Sequence, residues 1–251
     1  IAAIAGQAPS PAMETGCPRF EECVFPVETL TVADQLTLGH FTWHAYVAGM
    51  ADETGKAGNC IHPGQDEPAT AEPGAYAATQ NPFIYFHSLL DLGDCAANDV
   101  PLERLTADLR KATKTPSYSF VAPTPCDAGA TGQCVSGAPA EGPAAADAFL
   151  AAWVPKILAS PAYKADGVLI VAFSAIDPAA PGVPAGAERL RTGALLLSPF
   201  LAPGSTDGAP YGPYSLLRST EDLFGLEPLA LAAGPKARSF ATALLGSNGG
   251  D

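Results

Sequence analysis

A few scattered side chains of this sequence could take part in metal or acid–base chemistry, and Asp127 and His87 are the main candidates. Asp127 follows Cys126 in a loop after a predicted strand, where a carboxylate could hold a divalent cation. Aspartate is also common in turns, and we favour a turn beside a disulfide. His87 lies in an apolar, aromatic segment with no acid or cysteine at motif spacing, so we expect a core or supporting histidine. His40 and His44 would lie about 13 Å apart on a strand, too far to share a metal ion.

The end of the apolar run at residues 168–173 is where a metallohydrolase of this architecture would need acids. The run is continuous, as in a strand that is buried on both faces of a parallel sheet. Ligands of open α/β sheets bind beyond the carboxyl ends of such strands. This sequence places Ser174 and Ala175 there. The pattern favours a scaffold without a metal centre over an active enzyme.

The remaining acids group in two places, and neither grouping predicts a metal site. Asp91, Asp94 and Asp99 have a spacing that matches no EF-hand, so we expect a solvated loop. Glu221 and Asp222 lie in the last turns of a predicted helix. We expect them to be solvated there or to pair with an arginine one turn earlier.

The six cysteines predict disulfides rather than a zinc site. None forms a CxxC pair, and the histidines do not fall beside them at ligand spacing. An even number of widely spaced cysteines is typical of exported proteins, and buried free thiols are the alternative. The simplest pairings are Cys17–Cys23, Cys60–Cys95 and Cys126–Cys134.

The composition excludes several functional classes. The 251 residues include 26 acids and 13 bases, and a net charge of −13 disfavours binding to nucleic acid or anionic lipid. The apolar fraction of 47% supports a folded core, which excludes a disordered chain. No apolar stretch is long enough for a membrane span, and no signal peptide is visible. The sequence begins in mid-element without Met, so we expect the natural N-terminus to lie upstream.

Helices and strands alternate along the sequence, which predicts an α/β fold with a mostly parallel central sheet. The predicted helices span residues 2–6, 32–38, 101–111, 144–158 and 214–224, and the predicted strands span 41–47, 117–122, 168–173 and 193–198. We expect a single domain over residues 1–251. Within it, residues 177–188 are expected to form a surface loop and residues 245–251 a flexible tail.

Three segments of the sequence resemble one enzyme family. The first segment is 81–88, which reads Asn-Pro-Phe-Ile-Tyr-Phe-His-Ser. The second is 146–163, which leads into the predicted strand at 168–173. The third is 197–226, which contains Ser-Pro-Phe and then Tyr-Ser-Leu-Leu-Arg-Ser-Thr-Glu-Asp-Leu-Phe-Gly-Leu. Together they are similar to the bacterial phosphoesterases, which include acid phosphatases and phosphatidylcholine-type phospholipases C of the alkaline phosphatase superfamily. The resemblance covers nearly the whole sequence and implies a three-layer sandwich around a mostly parallel sheet. It also implies hydrolysis of phosphate esters at a metal cluster.

The positions that resemble the family's metal ligands are substituted in this sequence. Family members usually carry Asp-Glu after the main strand, where this sequence has Ser174 and Ala175. They carry His-Asp in the loop after the preceding strand, where it has Ala130 and Thr131. Pro213 stands in place of a histidine before the last helix. The resemblance also implies that the family's first strand and nucleophile segment would precede the first residue.

The substitutions favour an exported, catalytically inactive member of the family, for which no cofactor is expected. Its role would be structural or binding, with a possible protein partner in an extracellular or cell-envelope assembly. One alternative is an active phosphatase or phospholipase C-like hydrolase that needs a divalent metal and takes its nucleophile and some ligands from an upstream segment. Another is a metal-free module that binds a ligand in the old cleft.

Overall fold

The chain folds around a three-stranded parallel sheet. A computed structural model describes residues 1–51, 56–70, 73–173 and 192–241. The strands of the sheet are β1 (Trp43–Val47), β2 (Asp99–Pro101) and β3 (Tyr118–Ala122), in the order β2-β1-β3. The register places Val47 opposite Pro101 on one side and Ala122 on the other, so the three strands end at one edge of the sheet.

Short helices surround this sheet, and two longer ones follow it in the chain. The α-helices of the described residues are α1 (Ala2–Ala5), α2 (Pro11–Glu14), α3 (Val32–Leu38), α4 (His87–Leu90), α5 (Asp94–Asn98), α6 (Leu105–Asp108), α7 (Pro143–Ala159), α8 (Pro161–Asp166) and α9 (Pro213–Phe224). Single 3₁₀ turns occur at Phe20–Cys23, Ala78–Gln80, Pro82–Tyr85, Leu102–Arg104 and Ala230–Ala233. The predicted helices at 32–38, 144–158 and 214–224 are thereby confirmed, as are the predicted strands that became β1 and β3.

Apolar side chains pack on both faces of the sheet because successive residues of β1 point in opposite directions. Trp43, Ala45 and Val47 belong to the larger core, where the Trp43 ring stacks on Phe83 with 5.3 Å between the ring centroids. Tyr46 lies in a second cluster on the other face, and α7 packs against that cluster. Burial of one large apolar side chain stabilises the fold by about 1.5–3 kcal/mol, so these two clusters supply much of the driving force. The arrangement confirms an α/β fold with helices on both sides of a parallel sheet.

Local sequence signals define the ends of α3 and α9. Thr31 caps α3: its Oγ1 accepts a hydrogen bond from the Asp34 N–H, and the Asp34 carboxylate accepts one from the Thr31 N–H. This reciprocal pair satisfies two backbone donors of the first turn. At the other helix, Gly225 follows α9 in the left-handed conformation with φ of 66°, which glycine adopts without strain.

The prediction for residues 168–173 was wrong in its sheet and in its burial. The strand is β4 (Leu169–Ala172), and it pairs antiparallel with β5 (Ala194–Leu197) in a separate two-stranded sheet. Its residues are only partly buried and Ala172 is exposed, although the prediction was burial on both faces. A short apolar run does not reveal the direction of its partner, which explains the error.

The helix predicted from residue 101 also begins later than expected. Pro101 is the last residue of β2, and the helical segment starts with the 3₁₀ turn at Leu102. Leu102, Leu105 and Leu109 are buried on one face as the pattern predicted. The strand β2 itself was not predicted, because three residues are too few for a recognisable alternation.

Three disulfides link the described part of the chain, and they are the pairs that were predicted to be simplest. Cys17–Cys23 and Cys126–Cys134 close short loops, whereas Cys60–Cys95 joins residues 35 positions apart. Such bonds indicate an oxidising environment. Among the described residues, no helix has the length and apolar character that crossing a membrane requires.

Candidate functional site

The loop that follows β3 at the shared strand edge, here called the edge loop, holds two of the five positions at which the sequence predicted a lost metal site, Ala130 and Thr131. It runs from residue 123 to residue 142, between β3 and α7. Such edges are where α/β proteins bind their ligands. Asp127, Ala130 and Thr131 all lie on this loop, so the structure places three of the sequence-derived positions on a single segment.

The Asp127 carboxylate is engaged within a turn of this loop. Its Oδ2 accepts a hydrogen bond of 2.9 Å from the Oγ1 of Thr124. The Asp127 N–H in turn donates to the same Thr124 oxygen at 3.2 Å. The pair forms the local side-chain-to-backbone ring that Asp and Thr commonly make in turns.

A disulfide and a short polar contact are among the bonds that hold the rest of the loop. The disulfide Cys126–Cys134 spans Ala130 and Thr131. Farther along, the Glu141 carboxylate accepts a hydrogen bond of 2.6 Å from the N–H of Gly132. Next to this contact lies a surface cavity of about 200 Å³, lined by Cys134, Val135, Ser136, Gly137, Ala138 and Glu141.

Pro213, the third substituted position, is the first residue of α9 and has no donor atom in its side chain. Ser174 and Ala175, the remaining two positions, lie outside the described residues, as does the predicted surface loop at 177–188 and the tail at 245–251. Divalent cations are held by clustered carboxylates, imidazoles or carbonyls. The side chains at 130 and 131 of the edge loop and at 213 of α9 are methyl, hydroxyl and pyrrolidine groups, which do not fit such a cluster.

Comparison with known protein families identifies the family to which this domain belongs. A model of the phosphoesterase family matches residues 1–227. The chain belongs to the phosphoesterase family. The match includes all three strand ends, the edge loop and the whole of α9. No curated protein matches the sequence.

In this phosphoesterase domain His87 sits between two carboxylates that come from different segments. Its Nε2 lies 3.0 Å from the Oε1 of Glu21, and its Nδ1 lies 3.3 Å from the carboxylate of Asp91. Desolvation lowers the pKa of His87, but the hydrogen bonds to Asp91 and Glu21 outweigh it and raise the pKa overall. Asp91 follows His87 by four residues, which is one helical turn, so the sequence offered this partner, whereas Glu21 is 66 residues away along the chain. The partners of His87 do not include any residue of the edge loop.

Asp99, which was predicted to lie in a solvated loop, is fully buried in β2. Its Oδ2 accepts a hydrogen bond of 2.7 Å from the Nδ2 of Asn81 and lies 3.8 Å from the Sγ of Cys95. Its Oδ1 is buried without a hydrogen-bond partner among the described residues. Burial raises the pKa of Asp99 to about 7, although the Asn81 hydrogen bond opposes the shift.

The same carboxyl belongs to a group whose atoms would suit a soft metal ion if the sulfurs were free. The sulfurs of Cys60 and Cys95 and a carboxylate oxygen of Asp99 all lie within 4.8 Å of one another. Thiolate is the form of cysteine that binds metals. The two sulfurs are joined in a disulfide, so the group is a buried acid beside a disulfide rather than a thiolate site.

A second polar cluster, which was not predicted from the sequence, joins β1 to α6. The Tyr46 hydroxyl donates to the Asp108 carboxylate at 2.9 Å, and the Nδ1 of His44 lies 3.0 Å from the Tyr46 oxygen. Arg104 completes the cluster with its Nε 3.3 Å from Asp108. Desolvation and the Arg104 charge lower the pKa of His44 despite Asp108. His44 and Tyr46 are the second and fourth residues of β1 and therefore lie on the same face of the strand.

Glu221, which was predicted to be solvated or paired with an arginine, is completely buried on α9. Its Oε1 accepts a hydrogen bond of 2.8 Å from the N–H of Leu229. Arg218 pairs instead with Asp222, at 2.9 Å, as was expected for that acid. Burial raises the pKa of Glu221 to about 7. A signal was present in the sequence, because Glu221 follows the buried Leu217 by one helical turn and therefore shares its face.

Proposed function

We propose that this phosphoesterase domain is catalytically inactive and acts by binding, with a protein partner in an extracellular or cell-envelope assembly. The observation that carries the proposal is the composition of the edge loop. Asp127 is tied to Thr124, and the matched positions Ala130, Thr131 and Pro213 offer no carboxylate or imidazole. A domain with such an edge retains the shape of the family without the groups that handle phosphate esters.

Electrostatics explains why these substitutions matter for catalysis. Transfer of a phosphoryl group builds up negative charge on oxygen, and enzymes of this kind stabilise that charge with bound cations. Several acids must cluster to hold the cations, since one exposed carboxylate binds a divalent ion weakly. Asp127 alone does not provide this field, and Ser174 and Ala175 add none by their residue type.

Exposed apolar side chains around the two-stranded sheet support a binding role. Phe173, Leu195 and Phe200 keep 46%, 55% and 54% of their surface exposed, and they flank or belong to β4 and β5. Large exposed apolar side chains, where they form a contiguous patch, are typical of interaction surfaces. Membership of a family of hydrolases instead favours the alternative, an active phosphoesterase that completes its site with an upstream segment.

The deciding experiment measures metal content and hydrolysis of a generic phosphate ester on the same purified sample. The proposal expects no stoichiometric metal and no turnover above that of buffer. Stoichiometric calcium, zinc or iron together with turnover would overturn it. Binding of inorganic phosphate without metal or turnover would favour the metal-free ligand-binding alternative.

Two matched variants identify whether Asp127 carries any activity that is found. Asp127→Asn removes the charge but keeps an oxygen that accepts the Thr124 hydrogen bond. Glu141→Gln makes the same change of charge elsewhere in the loop and keeps an acceptor for the Gly132 N–H. Metal and turnover that disappear only in Asp127→Asn would assign a ligand role to Asp127. The proposal expects both variants to match the unaltered protein.

A further inference from the structure

A buried carboxyl lies next to one particular sulfur of the Cys60–Cys95 disulfide. Asp99 Oδ2 is 3.8 Å from the Sγ of Cys95, which is itself fully buried. Cys60, the other half of the bond, is partly exposed. The two cysteines therefore differ in burial, and the fully buried one is next to the acid.

This asymmetry fixes the direction in which the bond can be cleaved. A thiolate cleaves a disulfide by attacking one sulfur, and the other sulfur departs as a thiolate. Because Cys60 is the more exposed of the two residues, we expect a reagent from solvent to attack its sulfur, so that the sulfur of Cys95 departs. A departing thiolate in an apolar interior is costly unless it gains a proton as it forms.

We propose that Cys60–Cys95 is a thiol–disulfide exchange site, at which an external dithiol attacks the Sγ of Cys60 and Asp99 gives its proton to the departing Sγ of Cys95. In the first step the attacking sulfur bonds to Cys60, and the electron pair of the broken S–S bond moves to Cys95. In the second step the other thiol of the reagent displaces Cys60. The dithiol is oxidised to a disulfide, the two cysteines are reduced to thiols, and Asp99 regains its proton from solvent.

The surroundings of Asp99 are suited to this task. Burial raises the pKa of Asp99 to about 7, so the carboxyl holds a proton at mildly acidic pH. Its Oδ1 is buried without a hydrogen-bond partner among the described residues, and its Oδ2 is the oxygen next to Cys95. Asn81, which precedes the Pro82–Tyr85 turn, donates a hydrogen bond to the Oδ2 of Asp99.

Other ionisable groups around Asp99 do not titrate in the same range or are less buried. The Tyr76 hydroxyl lies 3.2 Å from the Asn81 amide, and burial raises the pKa of Tyr76. Burial also raises the pKa of its neighbour Tyr85 to about 12. From α5 the nearest acid in sequence is Asp94, which is partly exposed. From β1 the residue paired with Asp99 is Ala45, which carries no charge.

The first test locates the site of attack in the unaltered protein. A small monothiol is added in limited amount, the mixed disulfide is trapped with an alkylating reagent, and the modified cysteine is found by peptide mass spectrometry. The proposal expects the adduct on Cys60 and the alkyl group on Cys95. An adduct on Cys95 would overturn it, and this readout requires no variant to fold.

The second test compares reduction rates of the unaltered protein and Asp99→Asn with the same dithiol from pH 6 to pH 9. The ratio of the two rates at each pH cancels the titration of the reagent. We expect the unaltered protein to react at least about tenfold faster at pH 6, because proton donation by a positioned acid accelerates reactions by that order or more. The ratio should fall toward one by pH 9, where the carboxyl has lost its proton.

Asp94→Asn serves as the matched control, since it removes a charge next to Cys95 without altering the buried carboxyl. Its rate should equal that of the unaltered protein over the whole pH range. A ratio for Asp99→Asn that stays constant with pH would contradict the role of Asp99 as the proton donor.

Discussion

Replacement of Glu221 by glutamine should stabilise the domain at alkaline pH and leave it unchanged at acidic pH. Glu221 is fully buried at the end of α9, where its Oε1 accepts the Leu229 N–H and its Oε2 has no partner among the described residues. Glutamine has nearly the same shape and keeps an oxygen for Leu229. It differs mainly in that its side chain does not ionise.

The pKa shift gives the size of the effect. Burial raises the pKa of Glu221 from 4.5 in the unfolded chain to about 7 in the folded domain. Below pH 4.5 both states are protonated, so the group adds no pH-dependent term. As pH rises from 4.5 to 7 the unfolded state releases its proton first, and the free energy of unfolding falls. A shift of this size corresponds to about 3 kcal/mol, which remains lost at all higher pH.

Urea unfolding of the two proteins at pH 4 and at pH 8 tests this reasoning. The variant should exceed the unaltered protein by about 3 kcal/mol at pH 8 and by nearly nothing at pH 4. Glu227→Gln, an exposed acid six residues later, changes the charge equally and should have little effect at either pH. An equal difference at both pH values would refute the argument, since it would mean that packing rather than ionisation separates glutamate from glutamine.

Three further substitutions test other parts of the fold. His87→Gln should lower the melting temperature more at pH 5.5 than at pH 8. The pKa of His87 is raised in the folded state, so protonation stabilises that state below the unfolded pKa of 6.5, and the gain is lost as pH rises through the pKa of the folded state. Partly exposed ion pairs of this kind contribute less than about 1 kcal/mol. Phe83→Ala should cost about 3–5 kcal/mol in urea unfolding, because Phe83 is fully buried against Trp43. Thr31→Ala should cost about 1 kcal/mol by the same measurement, through loss of the α3 cap.

The elements with a clear local signal were the ones that could be predicted from the sequence. Thr31 and Gly39 bracket α3, and Gly225 ends α9, so those boundaries follow from side-chain capping and backbone freedom. The three disulfides were also predicted, because each pairs cysteines that are consecutive in the sequence. Sheet membership was different: nothing in the apolar run at β4 indicates an antiparallel partner.

The burial of acids could not be predicted because it depends on contacts between distant segments. Asp99 resembles its neighbours Asp91, which is exposed, and Asp94, which is partly exposed, yet only Asp99 enters a strand of the central sheet. The hydrogen bond that accommodates it comes from Asn81, which the sequence analysis treated only as part of a family motif. Glu221 is the instructive exception, since its helical spacing from Leu217 indicated the buried face although its charge suggested the surface.

The contacts within the edge loop bear on the proposal that this phosphoesterase fold lacks a metal cluster. Clustered acids that hold a cation repel one another when the cation leaves, so such a site couples folding to metal binding. Here the loop contains a turn closed by Thr124 and Asp127, a disulfide across residues 126–134 and a contact from Glu141 to a backbone N–H. These contacts satisfy the two acids of the loop without an ion. Under that proposal, a covalent link and local hydrogen bonds would take the place of metal ligands in holding the loop between strand β3 and helix α7.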